Sequence, residues 1–247
     1  MRMSGLSKTL AATLALATTI MVGCGSNSTS SNLAQIRVIN AVSDGPTLDV
    51  AVNGAKVVTA LPFDAIQPAS TSASYVNVSA GNASVQGFST GSTVNPIAPI
   101  GTVMLAANTQ YTMIAVGPEL NEAPPLLLAD NNTPPMGTNV EFRFINVSPG
   151  SPAGGVDIYI VAPAVTDLTN YTPQVSALTN ASASAYQSLP FLTGGYNVIF
   201  TQAGFKNALF TQSATANATS ITTMVIVDNI GGVNGMSTTP LVLNDLN

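Results

Sequence analysis

Leu48, Val50 and Val52 alternate with Asp49, Ala51 and Asn53. This period of two predicts a strand with one apolar face. Asn53-Gly54 follows, and Lys56-Val57-Val58 resumes the apolar run. Asn-Gly suits a two-residue type I′ turn, because both central residues must adopt positive φ, so a hairpin is predicted here. "SYVNV", "ASVQGF", "TVMLA", "QYTMIAV" and "PLLLA" continue the pattern as short runs separated by Gly, Pro or Asn. The stretch nearest to an amphipathic helix is 167–186, "DLTNYTPQVSALTNASASAY", and Pro173 interrupts it.

The same pieces occur twice. "IRVIN" (36–40) returns as "FRFIN" (142–146), aligning Arg37 with Arg143 and Asn40 with Asn146. "LDVAV" (48–52) returns as "VDIYI" (156–160), aligning Asp49 with Asp157. "TMIAVG" (112–117) resembles "TMVIVD" (223–228), and "PLLLAD" (125–130) matches "PLVLND" (240–245). The order is kept while the offset grows from 106 to 115, so loops lengthen in the second copy. Repeats of this period predict tandem domains rather than a solenoid of short units.

Short strands with frequent turns, in units of about 100 residues, favour an all-β fold of two tandem antiparallel Ig-like β-sandwich domains. Tryptophan is absent and there is one cysteine, so "Ig-like" means two packed sheets and no Cys…Trp…Cys core. A small barrel is the alternative architecture. The expected boundaries are 34–130 for domain 1, 131–138 for a linker with two prolines, and 139–247 for domain 2.

The first 33 residues carry an address. Arg2 and Lys8 precede an uncharged apolar run from Leu10 to Val22, the layout of a secretory signal. That run is shorter than the ~20 residues a membrane-spanning helix needs. "MVGC" (21–24) resembles the bacterial lipobox, which implies cleavage after residue 23 and lipid attachment to Cys24. Three acyl chains, as the lipobox implies, exceed the two needed for stable anchoring. Residues 24–33 then read as the lipidated cysteine and a flexible tether. The expected location is the bacterial cell envelope, on the outer membrane or cell surface where two membranes exist.

Charge narrows the partners. Beyond residue 23 the cations are Arg37, Lys56, Arg143 and Lys206 against eleven acidic residues, a net of 4 − 11 = −7. Such a chain cannot neutralise a row of phosphates, so nucleic acid is not an expected partner. There is no histidine, which removes a Ser-His-Asp triad and the usual His-containing zinc sites. No catalytic residue is assigned.

Three groups of residues remain. Arg37 with Asp49, and Arg143 with Asp157, are expected as structural pairs bridging neighbouring strands. Asp130, Asn131 and Asn132 at the linker, with Glu141 beyond, offer oxygens for a candidate Ca²⁺ site, although the EF-hand spacing is missing. No other cofactor is expected. Tyr171, on the long 161–184 loop, is a candidate for stacking on a carbohydrate.

The repeated pieces R-x-[IV]-N, [LV]-D-[VI]-x-[VI] and T-M-x-x-V resemble the bacterial family called domain of unknown function 4397, over nearly all of 34–247. The resemblance implies exported or surface proteins with β-rich domains, and it brings no catalytic residue. The expected function is therefore a non-enzymatic envelope lipoprotein acting as an adhesive, scaffolding or interaction module. The alternative is a carbohydrate-binding module for an envelope or extracellular polysaccharide. Partners would be the membrane, through Cys24, and an envelope protein or polysaccharide.

Overall fold

Ile36 and Val38 of strand β1 (Leu33–Ala41) are buried in one hydrophobic core, while Ile39 and Ala41 are equally buried in another. A strand covered on both faces needs apolar residues at both parities, and Ile36, Val38, Ile39 and Ala41 supply them. The computed structural model describes residues 32–68, 75–94, 98–117, 125–229 and 235–246. Cys24, the expected signal peptide and most of the expected tether lie outside the described residues. Among those described there are eighteen strands and no helix, so the fold is all-β.

In the first repeat an inner sheet has the order β4 (Ala65–Gln67), β1, β8 (Gln110–Val116), β9 (Leu126–Ala129), and β5 (Val76–Ser79) also pairs with β1. An outer sheet has the order β3 (Ala55–Leu61), β2 (Leu48–Val52), β6 (Gly81–Ser89), β7 (Ala98–Leu105). The second repeat copies this plan. Its inner sheet is β13 (Ser182–Ala183), β10 (Asn139–Asn146), β17 (Ile221–Ile226), β18 (Leu241–Asn244), with β14 (Gln187–Pro190) on β10. Its outer sheet is β12 (Val175–Leu178), β11 (Val156–Val161), β15 (Tyr196–Gln202), β16 (Ala208–Ala214).

The β2–β3 hairpin forms as expected, with Val52 opposite Ala55 and φ of 51° and 79° at Asn53 and Gly54. The expectation of purely antiparallel sheets is corrected at two ladders. β1 runs parallel to β8, with Arg37 opposite Thr112, and β10 runs parallel to β17, with Arg143 opposite Thr223. Between each pair the chain crosses to the outer sheet and back, and such a crossover is what a parallel neighbour requires.

The two repeats press their inner sheets together. Ile39, Ile114 and Val116 share one core with Ile145, Val225 and Leu243. The sheets therefore stack in four sandwich-like layers with three cores between them. A smaller cluster of Tyr159, Val161, Leu168 and Ile199 lies on the far face of the second outer sheet. Ser31–Asn247 groups as one unit, and Asn132 of the expected linker 131–138 bonds to Tyr75 of the first repeat and Asp245 of the second.

Candidate functional site

Arg37 follows the parity of Ile39, so its side chain leaves its own sandwich and enters the seam between the inner sheets. It is 1% exposed. Its Nε donates to Thr112 Oγ1 at 2.7 Å, on the neighbouring parallel strand. Its Nη2 donates to Asp245 Oδ1 at 2.5 Å and lies 3.4 Å from Asp130 Oδ2, and Nη1 donates to the Asn244 carbonyl at 3.3 Å.

Arg143 repeats every contact with the copies exchanged. Its Nε donates to Thr223 Oγ1 at 3.0 Å, its Nη2 to Asp130 Oδ1 at 2.6 Å, and its Nη1 to the Ala129 carbonyl at 3.3 Å. Each arginine thus grips the aspartate and the carbonyl before it at the end of the other repeat's last strand. Thr112 and Thr223 donate in turn to Asp130 and Asp245, both at 2.6 Å. Tyr75 donates to Asp130 at 2.8 Å with Arg37 5.1 Å above its ring; Tyr186 donates to Asp245 at 2.9 Å with Arg143 4.8 Å above its ring.

Two guanidiniums and two carboxylates are charge-balanced and almost fully hydrogen-bonded, the condition under which buried ions are tolerated. Burial alone would lower the pKa of Arg37, but the carboxylates of Asp245 and Asp130 more than offset it and leave it raised. Burial, reinforced by Asp130 and Asp245 respectively, also raises Tyr75 and Tyr186, so both stay protonated donors.

The expected pairs Arg37–Asp49 and Arg143–Asp157 are therefore corrected. Asp49 lies on β2 in the outer sheet, while Arg37 points to the opposite side of β1. Asp49 binds Lys56 Nζ at 2.6 Å and accepts the N–H groups of Ala60 and Gly91 at 2.8 and 3.1 Å. Asp157 accepts those of Ala177 and Gly204, both at 2.8 Å. Ala60, Gly91, Ala177 and Gly204 all have positive φ, between 50° and 84°. The repeated aspartate thus pins a bulge and a turn in each copy. Against the pull of burial, these donors bring the pKa of Asp49 down to about 2. Asn40 and Asn146 likewise serve the fold, donating to the carbonyls of Leu61 and Leu178, both at 3.0 Å.

Of the residues expected for calcium, Asp130 faces existing cations and the two asparagines are bonded to neutral groups and to Glu141. Asp130 is held by Arg143 and Arg37, Asn131 Nδ2 donates to Glu141 at 3.1 Å, and Asn132 Nδ2 donates to Tyr75 Oη at 3.3 Å and to the Asp245 carbonyl. Arginine nitrogens thus stand where a metal would need open carboxylate oxygen. Among the described residues no group of three or more His, Cys, Asp or Glu side chains gathers in a metal-holding arrangement. Tyr171 is 40% exposed on a loop whose Leu168 and Val165 cover Tyr159; Lys206 Nζ donates to the Tyr171 carbonyl and lies 4.7 Å above the Tyr159 ring. It stands apart from the central seam.

Thr112, Thr223, Tyr75, Tyr186 and Asp245 were not singled out from the sequence. Asp245 and the threonines lay within aligned repeats, so their recurrence was a usable signal; the tyrosines sit in segments with no alignment.

The family model "Domain of unknown function (DUF4397)" matches residues 34–159, a little over half of the chain. The chain belongs to the DUF4397 family. The match runs through the whole first repeat and ends at Tyr159 in β11, so the remaining strands of the second repeat lie beyond it. No match is found among curated proteins. One solved structure, described as "Alpha-glucan binding by a streptococcal virulence factor", is 8% identical, with 83% of this chain and 97% of that chain covered and a TM-score of 0.26. A likeness of that size carries no argument about this DUF4397 chain.

Proposed function

We propose that this DUF4397 chain is a non-catalytic interaction module of the bacterial cell envelope, exported by its N-terminal signal and anchored through lipid on Cys24. One observation carries the reading. The charged and amide side chains that the two repeats share, Arg37/Arg143, Asn40/Asn146, Asp49/Asp157 and Asp130/Asp245, are engaged in holding strands, turns and repeats together. Duplication has kept a scaffold rather than a constellation of acid, base and nucleophile. A cross-bonded four-layer body on a tether suits a part that presents its loops and edges to a partner. Metabolic labelling with palmitate tests the anchor: label on the wild-type chain, lost in Cys24→Ser with release from the membrane fraction, is expected. Label retained in Cys24→Ser would overturn the lipid attachment, and turnover of a glycoside, ester or peptide substrate by the purified protein would overturn the non-catalytic reading.

A second reading, a carbohydrate-binding module, is favoured by a cleft of about 360 Å³ in the second repeat whose lining has no charged residue. Titration with neutral saccharides tests it, and the absence of any saturable binding would remove it.

A further inference from the structure

The two repeats can be aligned residue by residue around the β7–β8 and β16–β17 turns, and the alignment shows what opens that cleft. Thr112 lies opposite Arg37 and Thr223 opposite Arg143, so Tyr111 corresponds to Thr222. Asn108 and Thr219 match as the positive-φ residues of the turns, at 58° and 67°, and each donates its N–H at 2.8 Å to an equivalent carbonyl, that of Leu33 or Asn139. Leu105 therefore corresponds to Ala216. Val85 pairs with Gly101 and its counterpart Val198 with Gln212, so Val103 corresponds to Ala214.

All three changes shrink the side chain. In the first repeat Leu105 and Tyr111 are buried, Val103 packs against the same core, and the Tyr111 hydroxyl accepts the Ala106 N–H at 2.9 Å. In the second repeat the corresponding Ala214, Ala216 and Thr222 line the cleft, and Val242 of β18 stands half exposed beside it. The lost bulk is regained elsewhere. Ile36, Val38, Ala83 and Gly87 correspond to Phe142, Phe144, Tyr196 and Phe200, whose rings pack edge to face, Phe142 with Tyr196 at 5.4 Å and Phe144 with Phe200 at 6.0 Å. The second core is filled from the β10 and β15 side and left open between β16 and β18.

The opening, a cleft of about 360 Å³, has a particular chemistry. Its polar lining includes Gln212, Asn217, Ser220, Thr222 and Asn244, all amides or hydroxyls. An ion entering it would meet no counter-charge, and burying an unpaired charge is costly. Amides and hydroxyls both donate and accept, which matches the vicinal hydroxyls of a sugar. Val242, half exposed, offers apolar surface to the C–H face of a six-membered ring. Ser220, in the same lining, has a buried Oγ with no hydrogen-bond partner.

We infer that the cleft between β16 and β18 is a binding site for one ring of a neutral saccharide, placed where Tyr111 fills the first repeat. This rests on the carbohydrate-binding reading above and gives it a location other than Tyr171. The test is calorimetric titration of the full-length protein with neutral di- and trisaccharides of glucose, galactose, mannose and N-acetylglucosamine. Thr222→Tyr copies the first repeat's own residue, and Ala216→Leu fills the same space by a different route; thermal unfolding confirms that each variant is folded. Binding weakened at least tenfold in both variants and unchanged in Tyr171→Ala is the expected result. Undiminished binding in both folded filling variants would overturn the location while leaving carbohydrate binding standing. A wild-type chain that binds none of these sugars would overturn the carbohydrate reading and the site together.

Discussion

Arg143 and Asp130 meet at 2.6 Å, although Asp130 closes the last strand of the first repeat and Arg143 sits in the first strand of the second. Arg37 and Asp245 form the reciprocal pair at 2.5 Å. The aspartate that ends one repeat therefore lies closer to the buried arginine that begins the other than to its own, at 2.5 and 2.6 Å against 3.4 and 3.6 Å.

Removing one member should cost far more than an exposed ion pair would. Arg37→Ala or Arg143→Ala leaves carboxylates buried beside a single guanidinium, and a loss of about 3–5 kcal/mol is expected. Urea unfolding monitored by tyrosine fluorescence measures it. A loss below about 1 kcal/mol would mean that the seam is wet and the ions are solvated.

Double-mutant cycles separate the observed partners from those expected from the sequence. Arg37 with Asp245 should show a coupling of at least about 0.5–3 kcal/mol, as residues in one network do, whereas Arg37 with Asp49 should add. Coupling between Arg37 and Asp49 instead would place the arginine on the wrong side of β1.

Asp49 makes an acid-side prediction. Its folded-state pKa of about 2 lies below the ordinary carboxylate value, so the stabilisation it provides is fully present above about pH 4. It is lost progressively as pH falls from there through about 2. Asp49→Asn should be less stable at neutral pH and show a shallower acid limb in unfolding midpoints measured from pH 6 to 2. An unchanged acid limb would remove Asp49 from the bulge.

Tyr75 and Tyr186 make the alkaline counterpart. Both are raised, by burial first and then by Asp130 or Asp245, so the folded protein favours their neutral forms. Their contribution is present below the ordinary tyrosine pKa and lost as pH rises past it. Ultraviolet titration should find phenols, with Tyr196 also raised by burial, that do not ionise near pH 10 until the chain unfolds. Tyr75→Phe/Tyr186→Phe should remove two of them from that late step.

Two glycines separate strain from collision. Gly54 has φ of 79° with nothing near an added Cβ, so Gly54→Ala should cost the left-handed backbone penalty of about 1–2 kcal/mol. Gly155 has φ of 85° and an added Cβ would sit 2.7 Å from the Ala177 carbonyl carbon. Gly155→Ala should cost clearly more, in the same chemical denaturation assay. Equal costs would show that β12 can give way.

What the sequence determined by itself was local or recurrent. Alternation at 48–53 and the Asn-Gly pair specify the β2–β3 hairpin because side-chain period and turn dihedrals act within a few residues. The repeat was visible because duplication keeps order, and its matched pairs already contained Asp130 and Asp245. The tertiary structure decided which face of β1 was covered by what. Period-two alternation puts Arg37 opposite Ile36 and Val38, yet only a second sheet packed there tells the arginine that it is buried and that its carboxylate lies 208 residues away. Apolar residues at both parities of β1 are compatible with two covered faces, but composition cannot name the partner surface. The cleft was hidden for the same reason. Ala214, Ala216 and Thr222 are unremarkable as letters, and become an opening only when the fold sets them where Val103, Leu105 and Tyr111 fill the other copy.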